Sequence, residues 1–165
     1  MNTFVAPLDG SEFSARALPI AAALAREANA DLQVVGVALS AAEFAQTYDH
    51  VHDATERLPA DARPEVDVVI DPHPLLVLLE IVNERGNVLF FASHDRTRHV
   101  AELMHFVGSR IIEHTKRPII VVGAQAEVAP GPRNVVVALD GVHDPESIRS
   151  VAVATARDFT PPCGS

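Results

Sequence analysis

A single cysteine, Cys163, stands near the end of this 165-residue chain, so no disulfide can form within it. That fits a reducing compartment, and the expected location is the cytoplasm. Basic charge is scarce too. Thirteen Lys and Arg against 22 Asp and Glu leave a formal charge of -9, and the local basic candidates are Arg96, Arg98 and His99. Three side chains cannot track a phosphate backbone against that field, so neither nucleic acid nor an anionic membrane surface is an expected partner. No apolar run approaches the roughly 20 residues of a membrane span, and no early stretch has the flanks of a signal peptide. The chain also holds no G-x-S-x-G elbow, no Walker A loop and no G-x-G-x-x-G. Ser11 has no evident base, so nucleophilic catalysis lacks a constellation and no catalytic residue is assigned.

What the chain does have is apolar content, 48% of its residues, over a length that suits one ordinary core. Phe4–Leu8 is a short apolar run before Asp9-Gly10-Ser11, and the Ala-rich segment from Ser11 to Asn29 carries a helical stripe. Leu32–Leu39 reads as a second strand. Ala41–Leu58 is polar and reads as a weak helix or a mobile stretch. Glu65–Ile70 alternates as a strand, Asp71 suits a cap, Pro72 suits a first helical turn, and Leu75–Glu84 continues as helix. Val88–Ala92 is an apolar run short enough for a strand covered on both faces. Val100, Leu103, Met104, Val107 and Ile111 then form the stripe of a helix with one buried face, and Ile119–Val122 follows Pro118 as a last strand. Strands alternating with helices predict an α/β fold: a parallel sheet with right-handed crossovers, covered on both faces.

Beyond that unit the chain repeats itself. Ala124–Arg133 carries Pro130, Gly131 and Pro132 and reads as a linker. Laying Phe4–Glu27 over Val135–Asp158 at a constant offset of 131 gives eight identities, among them the contiguous Leu8-Asp9-Gly10 against Leu139-Asp140-Gly141. The expected organisation is a domain over 1–123, a linker over 124–133, and the start of a second domain over 134–165. That second unit is expected to be one strand and one helix, a truncated copy that cannot bury both faces of its strand alone.

In an open parallel sheet, ligands sit at the carboxyl ends of strands. The turn at Asp9 and the loop Ser93–Arg98 share that edge. Gly10 permits the turn and Ser11 can cap the helix, which is the plain reading; the Asp9 carboxylate could also accept a hydrogen bond from a base or ribose. His94 and Asp95 are neighbours on an extended segment and point to opposite sides, so they make no dyad. His50-Val51-His52-Asp53 could set ligands on one side of a strand, but in so polar a stretch no metal site is expected.

These motifs together resemble the universal stress protein family. The resemblance rests on Pro7-x-Asp9-Gly10-Ser11 after the first strand, the helix from Ala15 to Ala28, Val37 closing the second strand, Asp71-Pro72, Ser93-His94-x-Arg96, and the spacing from there to Arg117-Pro118-Ile119-Ile120-Val121-Val122. It implies the Rossmann-like fold of that family, a five-stranded, doubly wound parallel sheet, in a tandem-domain type with its second domain truncated, and a homodimer through Ile119–Val122. Nucleotide-binding members are similar to one another in a loop of Gly, two residues, Gly, nine residues, Gly, then Ser or Thr. Counted onto this chain those positions are Ala92, Asp95, His105 and Phe106, and none matches. Glycines let backbone N–H groups turn toward phosphate oxygens; Asp95 adds charge repulsion, and Phe106 replaces a donating hydroxyl. Gly108-Ser109 lies three residues further along.

The resemblance therefore implies a vestigial nucleotide site at Pro7, Asp9, Gly10, Val37, Ser93, His94, Arg96 and Ser109. It implies a non-enzymatic stress-response module with weak or absent ATP binding, acting through dimerisation or an unnamed protein partner. Two alternatives stand beside it. One is an ATP-binding and slowly ATP-hydrolysing member, with Asp9 on the adenosine and Ser93, Arg96 and Ser109 near phosphates. The other is a truncated product of a longer tandem protein.

Overall fold

In the computed structural model the chain alternates strand and helix: β1 (Thr3–Leu8), α1 (Glu12–Glu27), β2 (Asp31–Ala38), α2 (Phe44–Glu56), β3 (Glu65–Ile70), α3 (Pro74–Glu84), β4 (Val88–Ala92) and β5 (Ile119–Val122). Residues 110–114 are helical before the last strand. The structure describes residues 3–84, 88–92, 110–115 and 117–123, with the single positions 126, 153, 156 and 157. All pairings are parallel, and the strand order is β3-β2-β1-β4-β5. This is the parallel sheet expected from the alternation of apolar runs and helical stripes, in the five-stranded, doubly wound form that the resemblance implies.

The strands read as continuous apolar runs because both faces are covered. Phe4, Ala6, Leu8, Leu32 and Val34 pack on one side with Leu18, Ala21 and Ala25 of α1 and Val51 of α2. Val5, Val35 and Leu89 face the other side, against Leu78 and Val82 of α3 and Ile111. Ile111 thus occupies the buried stripe assigned to its helix; Val100, Leu103, Met104 and Val107 lie outside the described residues. One polar residue interrupts the second layer. Gln33 is buried on β2 and donates through Nε2 to Asp67 Oδ2 of β3 at 2.6 Å.

One local reading is narrowed and one is corrected. Of the two readings of the stretch after β2 the helix holds: it is regular over Phe44–Glu56, with Thr47, Val51 and Ala54 at i, i+4 and i+7 toward the sheet and Val51 fully buried. Little of that stripe is strongly apolar, which made it read as weak in the sequence. The correction concerns the start of α3, which begins at Pro74 rather than Pro72. Asp71 Oδ1 accepts from the His73 N–H at 2.7 Å in a local turn, and the His73 carbonyl takes the first helical bonds, from Leu76 and Val77. Pro74 disfavours a helical His73, so the helix cannot begin before it.

α2 lies close on the sheet because β2 has a glycine beneath it. A Cβ on Gly36 would stand 2.7 Å from Val51 Cγ2 and 3.0 Å from Thr47 Cγ2. Gly36→Ala should therefore destabilise the protein by about 2 kcal/mol, since α2 must lift off strands fixed on both sides. Urea unfolding checks this, and a loss under about 0.5 kcal/mol would show that α2 yields freely.

Candidate functional site

β1 ends at Leu8 and the chain turns into α1 within three residues. Ser11 caps α1: its Oγ accepts from Ser14 N–H at 3.2 Å, and its backbone is extended. Asp9 braces the cap. Its Oδ1 accepts from the Ser11 N–H at 3.0 Å and from the Ser11 hydroxyl at 2.6 Å, while its own N–H donates to Ser14 Oγ at 3.4 Å. Gly10 has φ +78, which a side chain would strain. The Asp-Gly-Ser motif is thus first a capping turn, and the Ser11 hydroxyl is engaged in it.

The turn sits where ligands are expected. Sheet order reverses between β1 and β4, and β1 pairs with β4 at Phe4–Val88 and Val5–Leu89, in its amino half. Pairing with β2 runs on to Leu8–Gly36. A cavity of about 550 Å³ opens beside the carboxyl half of β1, lined there by Pro7, Asp9, Gly10 and Ser11. Val35, Val37 and Leu39 give it an apolar floor, and Pro74 and Leu78 come from α3. α2 supplies a polar wall of Glu43, Gln46, Thr47 and His50. The His50 ring lies directly over the turn: a Cβ on Gly10 would be 2.9 Å from its Nδ1.

Neither the family models nor the curated proteins compared with this sequence match it. Solved structures do. A universal stress protein in complex with cAMP superposes with a TM-score of 0.60 at 22% identity, covering 74% of this chain and 96% of that one. A protein from the universal stress protein family of Burkholderia pseudomallei superposes with a TM-score of 0.55 at 18% identity, over 73% of this chain and 95% of that one. The chain has the universal stress protein fold.

On that fold, four of the eight candidate site residues come together: Pro7, Asp9, Gly10 and Val37 all line the one cavity. Ser93, His94, Arg96 and Ser109 lie outside the described residues, as do Asp95, His105 and Phe106. Ala92, counted in the sequence onto the first glycine of the phosphate-loop motif, is half-buried and closes β4, in register with Val122. The α2 wall was missed by the sequence reading. Its signal is the i, i+3, i+4, i+7 spacing of Glu43, Gln46, Thr47 and His50, one face of a helix that had first to be recognised.

The helix also separates the two histidines that a strand would have set on one side. His50 covers Gly10, whereas His52 packs its ring on Tyr48 at 4.4 Å between centroids. Among the described residues no three His, Cys, Asp or Glu side chains converge, and no helix is long and apolar enough to cross a membrane.

Proposed function

We propose that this chain is a non-enzymatic member of the universal stress protein family, acting in the cytoplasmic stress response, whose phosphate loop has diverged so that ATP binds weakly or not at all. It acts through dimerisation or a protein partner. The observation that carries this is Ala92. A Cβ stands where the motif needs glycine, on a residue in regular register with Val122, so that backbone is committed to the sheet rather than turned toward a phosphate. Support for the dimer comes from the sheet edge: β5 is a terminal strand, and Val121 and Ile112 are each 56% exposed.

Residues 124–133 are proposed as a linker and 134–165 as the start of a second such unit. In that stretch positions 153, 156 and 157 are helical, and the offset of 131 sets them on 22, 25 and 26, inside α1. Val153 is exposed where Ala22 is buried.

A second reading, an ATP-binding and slowly hydrolysing protein, is favoured by the cavity beside Asp9 at the carboxyl ends of β1 and β2 and by a neighbour solved with cAMP. Calorimetric titration with ATP and magnesium separates the two. No saturable binding is expected at micromolar ATP; a saturable micromolar isotherm would sink the first reading in favour of the second.

A further inference from the structure

α2 turns a second face outward, and that face is aromatic. Phe44, Tyr48 and His52 follow one another at i, i+4 and i+8, with ring centroids 6.0 Å apart for Phe44 and Tyr48 and 4.4 Å apart for Tyr48 and His52. None of these rings belongs to the buried layer that holds Val51 and Ala54, and none lines the cavity beside Asp9. Phe44 is 36% and Tyr48 43% exposed, so the stack stands in water. Its surroundings are acidic. Asp49, Asp53 and Glu56 are exposed on the same helix, α2 carries no lysine or arginine, and none of these three carboxylates makes an ion pair among the described residues. At about 100° per residue Asp49 and Glu56 fall in the row beside Tyr48 and His52, whereas Arg57 at the C-cap falls on the far side of the helix.

That combination selects its occupant by charge. Exposed rings alone would suit a nucleic-acid base or a membrane surface, but the carboxylates repel phosphate and anionic lipid alike. A second copy of this chain would bring the same three carboxylates and a formal charge of -9. An arginine meets both features at once, because its guanidinium stacks on a ring face while its N–H groups fork onto a carboxylate. Lysine answers the charge but stacks less, being compact and strongly hydrated. One such contact at an exposed site is weak, so the occupant must use two rungs of the ladder together. In an extended segment the side chains on one side recur at every second residue, about 6.6 Å apart, which is close to the 6.0 Å between Phe44 and Tyr48.

We propose that the Phe44, Tyr48 and His52 ladder of α2 docks an extended segment of a partner protein that carries arginine at alternate positions. The inference deepens the proposed function by giving the partner a chemistry, and it rests on that reading only in taking the partner to be a protein. The test is fluorescence anisotropy of a short labelled peptide of alternating arginine and serine, titrated with the full chain at low and high salt. Binding should saturate, and about fivefold more tightly than for the matching lysine peptide. Tyr48→Ala should weaken the arginine peptide about tenfold, while Tyr48→Phe, which keeps the ring, should stay within about twofold of the wild type. Asp49→Asn and Glu56→Gln together should weaken it about tenfold at low salt and flatten its salt dependence. Far-UV circular dichroism should match across the variants, because all three positions are exposed.

No saturation by the arginine peptide would overturn this inference while leaving the proposed function standing. Undiminished binding by Tyr48→Ala would overturn it too, since the overall negative charge would then be the whole attraction. A wild-type dimer that Tyr48→Ala turns into a monomer in sedimentation would make a second copy the occupant and end the partner assignment. The ATP titration reads a different surface, so the proposed function and this inference fail separately.

Discussion

Phe90→Ala should lower the free energy of unfolding by about 4 kcal/mol, read as a fall in the urea midpoint at an unchanged m-value. Phe90 is 1% exposed on β4, the strand between β1 and β5. Its ring meets that of Phe4 at 5.1 Å between centroids and a 40° tilt, within the layer that α1 closes with Leu18 and Ala21. Truncation removes both the transfer free energy of the ring and an aromatic pair, and leaves a void. That void cannot collapse easily, because paired strands and a capped helix hold its walls. A domain of this size is typically stable by about 5–15 kcal/mol, so the variant should be close to unfolding at moderate temperature. Phe91, half-buried on the opposite face, is the internal comparison: Phe91→Ala should cost clearly less. A Phe90→Ala loss below about 1.5 kcal/mol would mean that the layer repacks and that the described core is not the one that holds the sheet.

What made this core legible in the sequence also explains where the reading failed. Val88–Ala92 and Leu32–Leu39 could be read as strands because burial on both faces leaves little polar interruption. The exception, Gln33, donates through Nε2 across to Asp67, while its buried Oε1 has no partner among the described residues. α2 read only as a weak helix or a mobile stretch because its buried stripe borrows Thr47 and Ala54, neither of which is distinctive, and because its closeness to β2 depends on Gly36, a residue of another element. No local pattern contains that contact. The start of α3 was different, since the rule that settles it was in the sequence. Asp71-Pro72-His73-Pro74 offers two prolines as first helical residues, and only the second leaves no proline behind it to bend the preceding residue out of the helix. The site divides the same way. Asp9 and Gly10 followed from the order of strand, turn and helix, while Glu43, Gln46 and His50 required knowing which face α2 turns to the carboxyl edge.

Val121→Arg should convert the proposed dimer to a monomer, weakening association by about a hundredfold, or about 2.7 kcal/mol. Among the described residues β5 ends the sheet, with no described strand on its outer side, and an edge strand is a template for another. Val121 and Ile112 are both exposed, an apolar pair that water covers poorly. In a symmetric pairing about this edge each residue meets the same stretch of its partner, so the variant sets two like charges in apposition besides deleting the apolar contact. Its fold should survive, because Val121 gives up little core burial; an unchanged circular dichroism spectrum would confirm that the loss is one of association. Sedimentation at tens of micromolar, an order-of-magnitude test concentration, should show the wild type as a dimer and the variant as a monomer. A monomeric wild type would leave the edge open to a different partner and end the homodimer reading. A variant that stays dimeric would move the interface elsewhere, and α2, with Phe44 and Tyr48 exposed and stacked at 6.0 Å, would then be the next apolar surface to mutate.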